Sequence, residues 1–264
     1  MSGSLSLPVD RFDTEVLGLH WIPLPEADEN TAAVLRERLG VDFPPVADEP
    51  WESGGFAYFP VTFRYPRGES LVDARVVLAL GADFVVTRQP AEPFVPFDAA
   101  VAEMARTPAL TRSPHGVLYA LLRALNETSE RVVAHAADDV DALAGLVGGL
   151  SGGAGALRDV SARLDRAERT VAQVRETQRG LARAARHLRA VHAGELGAPV
   201  AALLAAIEAA DARAQGVQDR VRHVEAALAA HLALRRTRLR TLLALCAAGL
   251  VPLLMILGYL AFSA

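Results

Sequence analysis

The chain has 264 residues and 52% hydrophobic residues, enough for one large domain or two modest ones. Its basic residues are all Arg. The first 234 residues carry 23 of the 27 Arg and all 31 acidic residues, a net charge of −8. An acidic body of this kind argues against nucleic acid as a partner. The single cysteine, Cys246, excludes a disulfide framework or a thiolate metal site within one chain.

Residues 1–112 hold most of the Pro and aromatic residues, and strands mixed with helices predict a small cytoplasmic α/β domain there. Runs rich in Val, Phe and Tyr predict strands at 16–24, 56–64, 74–80 and 84–87. Residues 81–83 (Gly-Ala-Asp) predict a hairpin between the last two strands. A short helix over 32–39 is predicted to be capped by Asn30 or Thr31 and ended by Gly40, and a second helix lies around 97–104.

Residues 113–196 are predicted to form a helical arm, folded back on itself at a glycine cluster between Gly148 and Gly155. Ser113 and Pro114 mark the start of its first helix. Apolar residues recur at helical spacing in that helix: Val117, Leu118, Leu121, Leu122, Leu125, Val132, Val140, Leu143 and Val147. The second helix alternates steps of three and four: Leu157, Val160, Leu164, Ala167, Val171, Val174, Gln178, Leu181, Ala185 and Leu188. This alternation is typical of a helix packed lengthwise on another helix.

Residues 197–241 continue the rhythm as a long stalk helix that runs without a breaker into an apolar segment. Its stripe consists of Leu203, Ile207, Ala210, Ala214, Val217, Val221, Val224 and Leu228. We expect this stripe to be buried against other copies of the chain in a parallel oligomer. An Asp at position 207 or 221 is then expected to dissociate the assembly.

Residues 242–262 are 21 residues without a charge, long enough to cross the ~30 Å hydrocarbon core of a bilayer as a helix. An amphipathic surface helix is the competing interpretation, but this segment has no polar face. Four arginines lie just before it, at 235, 236, 238 and 240. Because positive residues stay on the cytoplasmic side, the sequence predicts a single-pass protein of the plasma (inner) membrane with a cytoplasmic N-terminus and lipid around its last helix.

The sequence contains no pattern suited to catalysis, so we expect neither an enzyme nor a bound cofactor. Seven histidines are scattered without metal-ligand spacing, and the glycine cluster lacks the Lys and the preceding strand that a phosphate loop needs. Asp138, Asp139 and Asp141 form an acidic patch. It would hold a hard cation only if subunits bring several carboxylates together, and a solvated helix face is the favoured interpretation.

The order of these parts resembles the CorA family of magnesium channels, with its zinc-transporter relatives. Four stretches carry the resemblance: LHWIPLPEADENTAAVLRERLGVDF at 19–43, VVLALGADFVVTRQPAEPF at 76–94, SPHGVLYALLRALNETSERVV at 113–133 and LVPLLMILGYL at 250–260. They are similar to the family's opening strand and helix, its hairpin, its first arm helix and its first transmembrane helix. The resemblance implies an α+β fold, a homopentamer around one pore, and Mg²⁺ or another divalent cation as the transported or regulatory ion.

The same resemblance assigns site residues. The pore-lining positions become Arg240, Leu243, Ala247, Val251, Leu254 and Gly258. The family's Gly-Met-Asn signature falls on Ala261, Phe262 and Ser263 and is therefore absent, as is the family's second membrane helix. None of the lining residues offers the oxygen ligands that Mg²⁺ prefers. A ring of Arg240 side chains would make the pore mouth electropositive, although the positive-inside rule alone also explains these arginines.

Three functions stay open on this basis. The first is a divergent divalent-cation transporter with an oligomeric pore. The second is a membrane-anchored, non-conducting scaffold or sensor of the same origin, with a cytoplasmic protein partner. The third is an anion-permeable pore, which the positive ring alone would allow.

Overall fold

The computed structural model describes the backbone of residues 20–44, 49–67, 70–90, 94–148, 154–192 and 194–262. Within these ranges it does not describe the side chains of 66, 67, 70, 148, 154, 235, 236, 238–240 and 242–262. The predicted strand residues 16–19, most of the predicted glycine turn and Ser263 therefore lie outside the described residues.

The N-terminal part contains a five-stranded sheet. Its strands are β1 (Trp21–Pro25), β2 (Trp51–Ser53), β3 (Phe56–Arg67), β4 (Ser70–Leu80) and β5 (Val85–Gln89), in the order β1-β5-β4-β3-β2. β1 pairs with β5 in parallel, and the other neighbours are antiparallel. The four predicted strands are confirmed with shifted ends, whereas β2 was not predicted because three residues are too few to show a period. The predicted hairpin at 81–83 is confirmed by antiparallel pairing and by the Gly81 N–H donating to the Phe84 carbonyl at 3.0 Å.

Helix α1 (Glu29–Leu39) covers one face of this sheet. Its N-cap is Asp28, whose carboxylate accepts hydrogen bonds from the backbone N–H and the hydroxyl of Thr31 at 3.0 and 2.7 Å. The predicted caps, Asn30 and Thr31, are therefore wrong by two and three positions, since both lie inside the helix. Gly40 ends the helix as predicted, with φ of 70°, a conformation that glycine adopts without a Cβ penalty.

The alternation of side chains along the strands divides the core in two. Tyr58, Val77 and Val86 belong to the cluster under α1, whereas Phe59 and Leu78 belong to the cluster on the opposite face. Because successive residues of a strand point to opposite faces, a sheet buried on both sides needs apolar residues at nearly every position. The Val-rich and Phe-rich strands meet that need.

Helices fill the rest of the chain. They are α2 (Val95–Arg106), a 3₁₀ helix (Pro108–Arg112), α3 (Pro114–Gly148), α4 (Ala154–Val191) and α5 (Gly197–Phe262). The 66 residues of α5 span about 100 Å at 1.5 Å per residue. The predicted start of α3 is confirmed, because the Ser113 hydroxyl accepts a hydrogen bond from the Gly116 N–H at 3.1 Å and Pro114 is the first helical residue.

Helix α4 lies on β3 at close range. A Cβ built on Gly180 would stand 3.3 Å from the Pro60 carbonyl oxygen, so the absence of a side chain permits this approach. The Thr177 hydroxyl donates to the Thr62 carbonyl at 2.6 Å. These contacts join the helical part to the sheet on the face opposite α1.

Helices α3, α4 and α5 pack on one another as an antiparallel up-down-up bundle within one chain. The apolar stripes are buried there: Ile207 is 1% exposed and Val221 0% exposed. The expectation that the α5 stripe requires a second chain is therefore wrong. The hairpin of α3 and α4 supplies the partner surface, and an Asp at either position would disrupt the fold of a single chain.

None of the helical segments whose side chains are described combines the length and the apolar character that a membrane crossing requires. The predicted span, 242–262, lies outside those side chains, while its backbone belongs to α5.

Candidate functional site

The residues assigned to the pore by resemblance all lie towards the C-terminal end of α5. Arg240, Leu243, Ala247, Val251, Leu254, Gly258, Ala261 and Phe262 belong to this helix, and their side chains are among those not described. Which way these side chains face stays a prediction. Their backbone continues, without interruption, the helix that the bundle holds, so a displacement of the bundle end of α5 is transmitted along one helix.

The bundle holds α5 through an apolar seam at each of two levels. Near the sheet, Leu203 and Ile207 belong to the core that also contains Leu121 of α3 and Leu188 of α4. Farther along, the seam is built from Val217, Val221, Val224 and Leu228 of α5, Val140, Leu143 and Val147 of α3, and Val160, Leu164 and Val171 of α4. Removing apolar area from water stabilises this packing at roughly 25 cal/mol per Å².

Ion pairs across the bundle set the register of α5. Arg213 of α5 lies 2.9 Å from Glu130 of α3, and Arg220 lies 3.1 Å from Asp141. Asp211 is 3.1 Å from Arg175 of α4. These groups are partly exposed, so each pair contributes roughly 0–1 kcal/mol to stability. The ion pairs favour one axial position of α5, because sliding α5 by one turn along its axis would separate the paired groups.

The acidic patch on α3 is tied to arginines. Asp141 pairs with Arg220, and Asp139 is 3.6 Å from Arg163 of α4, while Asp138 is exposed. Among the described residues, no group of three or more His, Cys, Asp or Glu side chains is arranged to hold a metal ion. Within one chain Asp139 and Asp141 therefore contribute to the contacts between helices.

Two buried amides separate the two apolar levels of the bundle. Gln178 of α4 is 1% exposed and Asn126 of α3 is 2% exposed. Among the residues that the structure describes, neither amide atom of Gln178 has a hydrogen-bond partner, and Asn126 Oδ1 also lacks one. Leaving a buried polar group unpaired costs about 1–3 kcal/mol. Gln178 occupies a stripe position, so this layer is a weak point between two well-packed halves.

Three of the histidines that look scattered in the sequence come together at the sheet end of the bundle. The rings of His115 and His192 stack with centroids 4.8 Å apart and an angle of 23° between their planes. His187 lies against Phe59 of β3, at 5.0 Å between centroids. His115 and His187 line a cleft of about 500 Å³ together with Glu52 of β2. We call His115, His187 and His192 the histidine cluster.

The surroundings of His115 favour its uncharged imidazole. Burial lowers the pKa of His115 below its ordinary value of 6.5, and the neighbouring His192 and His187 lower that pKa further. Sequence spacing did not reveal the cluster, because His115 is more than 70 positions from its partners. The signal that would have found it is the helical hairpin itself, which brings the start of α3 beside the end of α4.

The whole chain is similar to proteins of known family and structure. A family model described as "CorA-like Mg2+ transporter protein" matches residues 18–261. The structure of full-length CmaX is 16% identical, with a TM-score of 0.67, and the match covers 89% of this chain and 75% of that one. The complete CorA magnesium transporter structure from Methanocaldococcus jannaschii is 10% identical, with a TM-score of 0.69, covering 85% and 73%.

A third similar structure is the ZntB cytoplasmic domain from Vibrio parahaemolyticus RIMD 2210633. It is 11% identical, with a TM-score of 0.48, and covers 83% of this chain and 87% of that one. A comparison with curated proteins gave no significant match. At these identities the CmaX and CorA structures show a shared fold of a sheet followed by long helices.

Proposed function

The chain belongs to the CorA-like Mg²⁺ transporter family, and from this premise we propose that it forms an oligomeric membrane pore for divalent metal ions. The family match over residues 18–261 carries the proposal, because it extends from the sheet through the helix that would line the pore. Members of this family are ion transporters and not enzymes. Mg²⁺ or another divalent cation is the cargo.

The membrane placement rests on the sequence of α5. Residues 242–262 carry no charge, and four arginines precede them. A helix inserted at this point would leave the sheet and the bundle on the cytoplasmic side of the inner membrane. The corresponding units are a cytoplasmic α/β domain at 1–112, the arm hairpin at 113–196, the stalk at 197–241 and the span at 242–262.

The proposed pore needs several chains, with five as the number that the family resemblance implies. One helix from one chain cannot enclose a pore, so identical helices must surround it. The bundle seam is filled within each chain and does not support this step. Support comes from α5 beyond the bundle, where Leu234 is a large apolar residue with 62% of its surface exposed.

The second candidate function is a non-conducting membrane scaffold or sensor with a cytoplasmic protein partner. The proposed lining positions, Leu243, Ala247, Val251, Leu254 and Gly258, carry no side-chain oxygen, and Ala261, Phe262 and Ser263 replace the family signature. A ring of Arg240 would repel a divalent cation at the pore mouth. These features favour an assembly that keeps the fold without conduction.

Flux of Mg²⁺ and Co²⁺ into proteoliposomes containing the purified oligomer separates the two functions. Conduction predicts flux above that of empty vesicles. An Arg240→Met variant should then conduct faster, because a fixed positive charge leaves the entrance. Arg238→Met is the matched control: it removes an arginine from the same block at a position outside the proposed lining. Absence of flux from an oligomer of confirmed mass would contradict conduction and favour the scaffold.

A further inference from the structure

The histidine cluster lies where three parts of the molecule meet. His115 is in the first turn of α3, His187 is in the last turns of α4, and His192 follows the end of α4 directly. The sheet contributes Phe59, which packs on His187. The start of α5, at Gly197, is five positions beyond His192. A change in the cluster therefore acts on the junction from which α5 begins.

The groups that face His115 do not balance a positive charge on it. From α4 and the residue after it, His187 and His192 would add positive charge of their own when protonated. From the sheet, Glu52 is the one carboxylate among the residues that line the cleft. The other lining residues from the sheet are uncharged: Ser53, Gly55, Phe56, Ala57, Leu80, Gly81 and Ala82.

Most of the charged residues next along the chain are directed to solvent; the exception is Arg183, one turn before His187, which is half-buried and lies 3.9 Å from Glu176. Arg112 before His115, Arg186 and Arg189 near His187, and Glu195 after His192 are all exposed. They offer no buried counter-charge to the cluster. Stacked neutral rings attract each other as aromatic groups do, whereas two imidazolium rings at the same separation repel each other.

We propose that the histidine cluster is a pH-sensitive latch: its neutral rings hold the end of α4 against the start of α3, and protonation in mildly acidic solution releases this contact and frees the start of α5. The latch needs no metal and no ligand. Its existence does not require the assembly to conduct ions, because the released contact lies within one chain at the sheet end of the bundle.

The sign of the effect follows from proton linkage. The pKa of His115 is lowered in the closed structure, so the open form binds protons more readily than the closed form. Opening is then favoured as the pH falls below the ordinary value of 6.5 and is unaffected well above it. If one proton is taken up on opening, the opening equilibrium constant rises about tenfold for each pH unit in that window.

Hydrogen exchange on the full chain in detergent micelles tests the latch. Amide protection is measured by mass spectrometry at about pH 8 and about pH 5, the limits between which histidine changes charge, with correction for the intrinsic exchange rate. Peptides from 113–120 and 184–192 should lose protection at the lower pH, while peptides from β3 and β4 should not. A loss of protection spread evenly over the chain would overturn the proposal.

Two variants sharpen the test. In a His115→Gln, His192→Gln double variant the pH dependence at these peptides should be much weaker than in the wild type, because two of the three imidazoles are replaced by amides, which do not titrate. His135→Gln, also on α3 but at a side chain 74% exposed, should keep the wild-type dependence. Wild-type pH dependence in the double variant would overturn the latch. If the double variant does not fold, the imidazole resonance of His115 in the wild type decides: its pKa must lie below the ordinary value of 6.5, and a pKa at or above that value would overturn the proposal.

Discussion

Leu143 and Leu146 of α3 provide a direct test of how the bundle is built. Leu143 is 0% exposed, in the seam between α3, α4 and α5, whereas Leu146, three residues on, is 51% exposed. Replacing Leu143 by Ala removes buried methyl groups and leaves a cavity among packed neighbours. Such substitutions lower the free energy of unfolding by about 2–5 kcal/mol. Leu146→Ala should change it by less than about 0.5 kcal/mol, because that side chain is largely in contact with solvent.

The measurement is urea denaturation of the full chain in detergent, followed by far-UV circular dichroism at two protein concentrations. Because the seam lies within one chain, the loss in Leu143→Ala should be the same at both concentrations. A seam between chains would instead make the loss caused by Leu143→Ala depend on concentration, since the substitution would then weaken association. Equal midpoints for the two variants, or a loss in Leu143→Ala confined to the dilute sample, would refute the intrachain bundle.

The remaining predictions concern the sheet and α1. Asp28→Ala should lower the free energy of unfolding by about 1 kcal/mol and weaken amide protection in the first turn of α1. Asn30→Ala should leave that protection unchanged. Equal effects of the two substitutions on hydrogen exchange would contradict Asp28 as the cap. Gly54 has φ of 60°, and a Cβ there would collide with the Gly40 carbonyl, whereas Gly55, with φ of 81°, has open space around it. Gly55→Ala should lower the free energy of unfolding by roughly 1–2 kcal/mol through backbone strain. Gly54→Ala should lower it by more, because the collision adds to the strain, and thermal unfolding should show a lower midpoint for Gly54→Ala than for Gly55→Ala.

Much of the fold follows from local patterns. The stripes of α3, α4 and α5 are visible because a buried helix face repeats about every 3.6 residues. Four of the five strands follow from runs rich in Val, Phe and Tyr. Gly40 marks the end of α1, and Ser113 marks the start of α3, where its hydroxyl accepts a backbone hydrogen bond. β2 was missed because three residues show no period. The Asp28 cap was missed because several adjacent polar residues suit a cap equally well by type.

The helix that covers an apolar stripe cannot be identified from the sequence in the same way. Heptad spacing shows that a helix face is buried, and it does not show whether the covering helix belongs to the same chain. The α5 stripe was therefore assigned to an oligomer, while the structure covers Ile207 and Val221 with α3 and α4. The ion pair of Asp141 with Arg220, 79 positions apart, likewise depends on how the hairpin returns.

The helical and extended segments, the uncharged stretch at 242–262 and the family resemblance can all be recognised from the sequence, because each is encoded in neighbouring residues or in their order along the chain. Three-dimensional packing was needed to find the intrachain seam, the buried amide of Gln178 and the stacked rings of His115 and His192. The physical reason is that such contacts join residues far apart in the chain. Their distances are set by the packing of whole helices and by no local propensity.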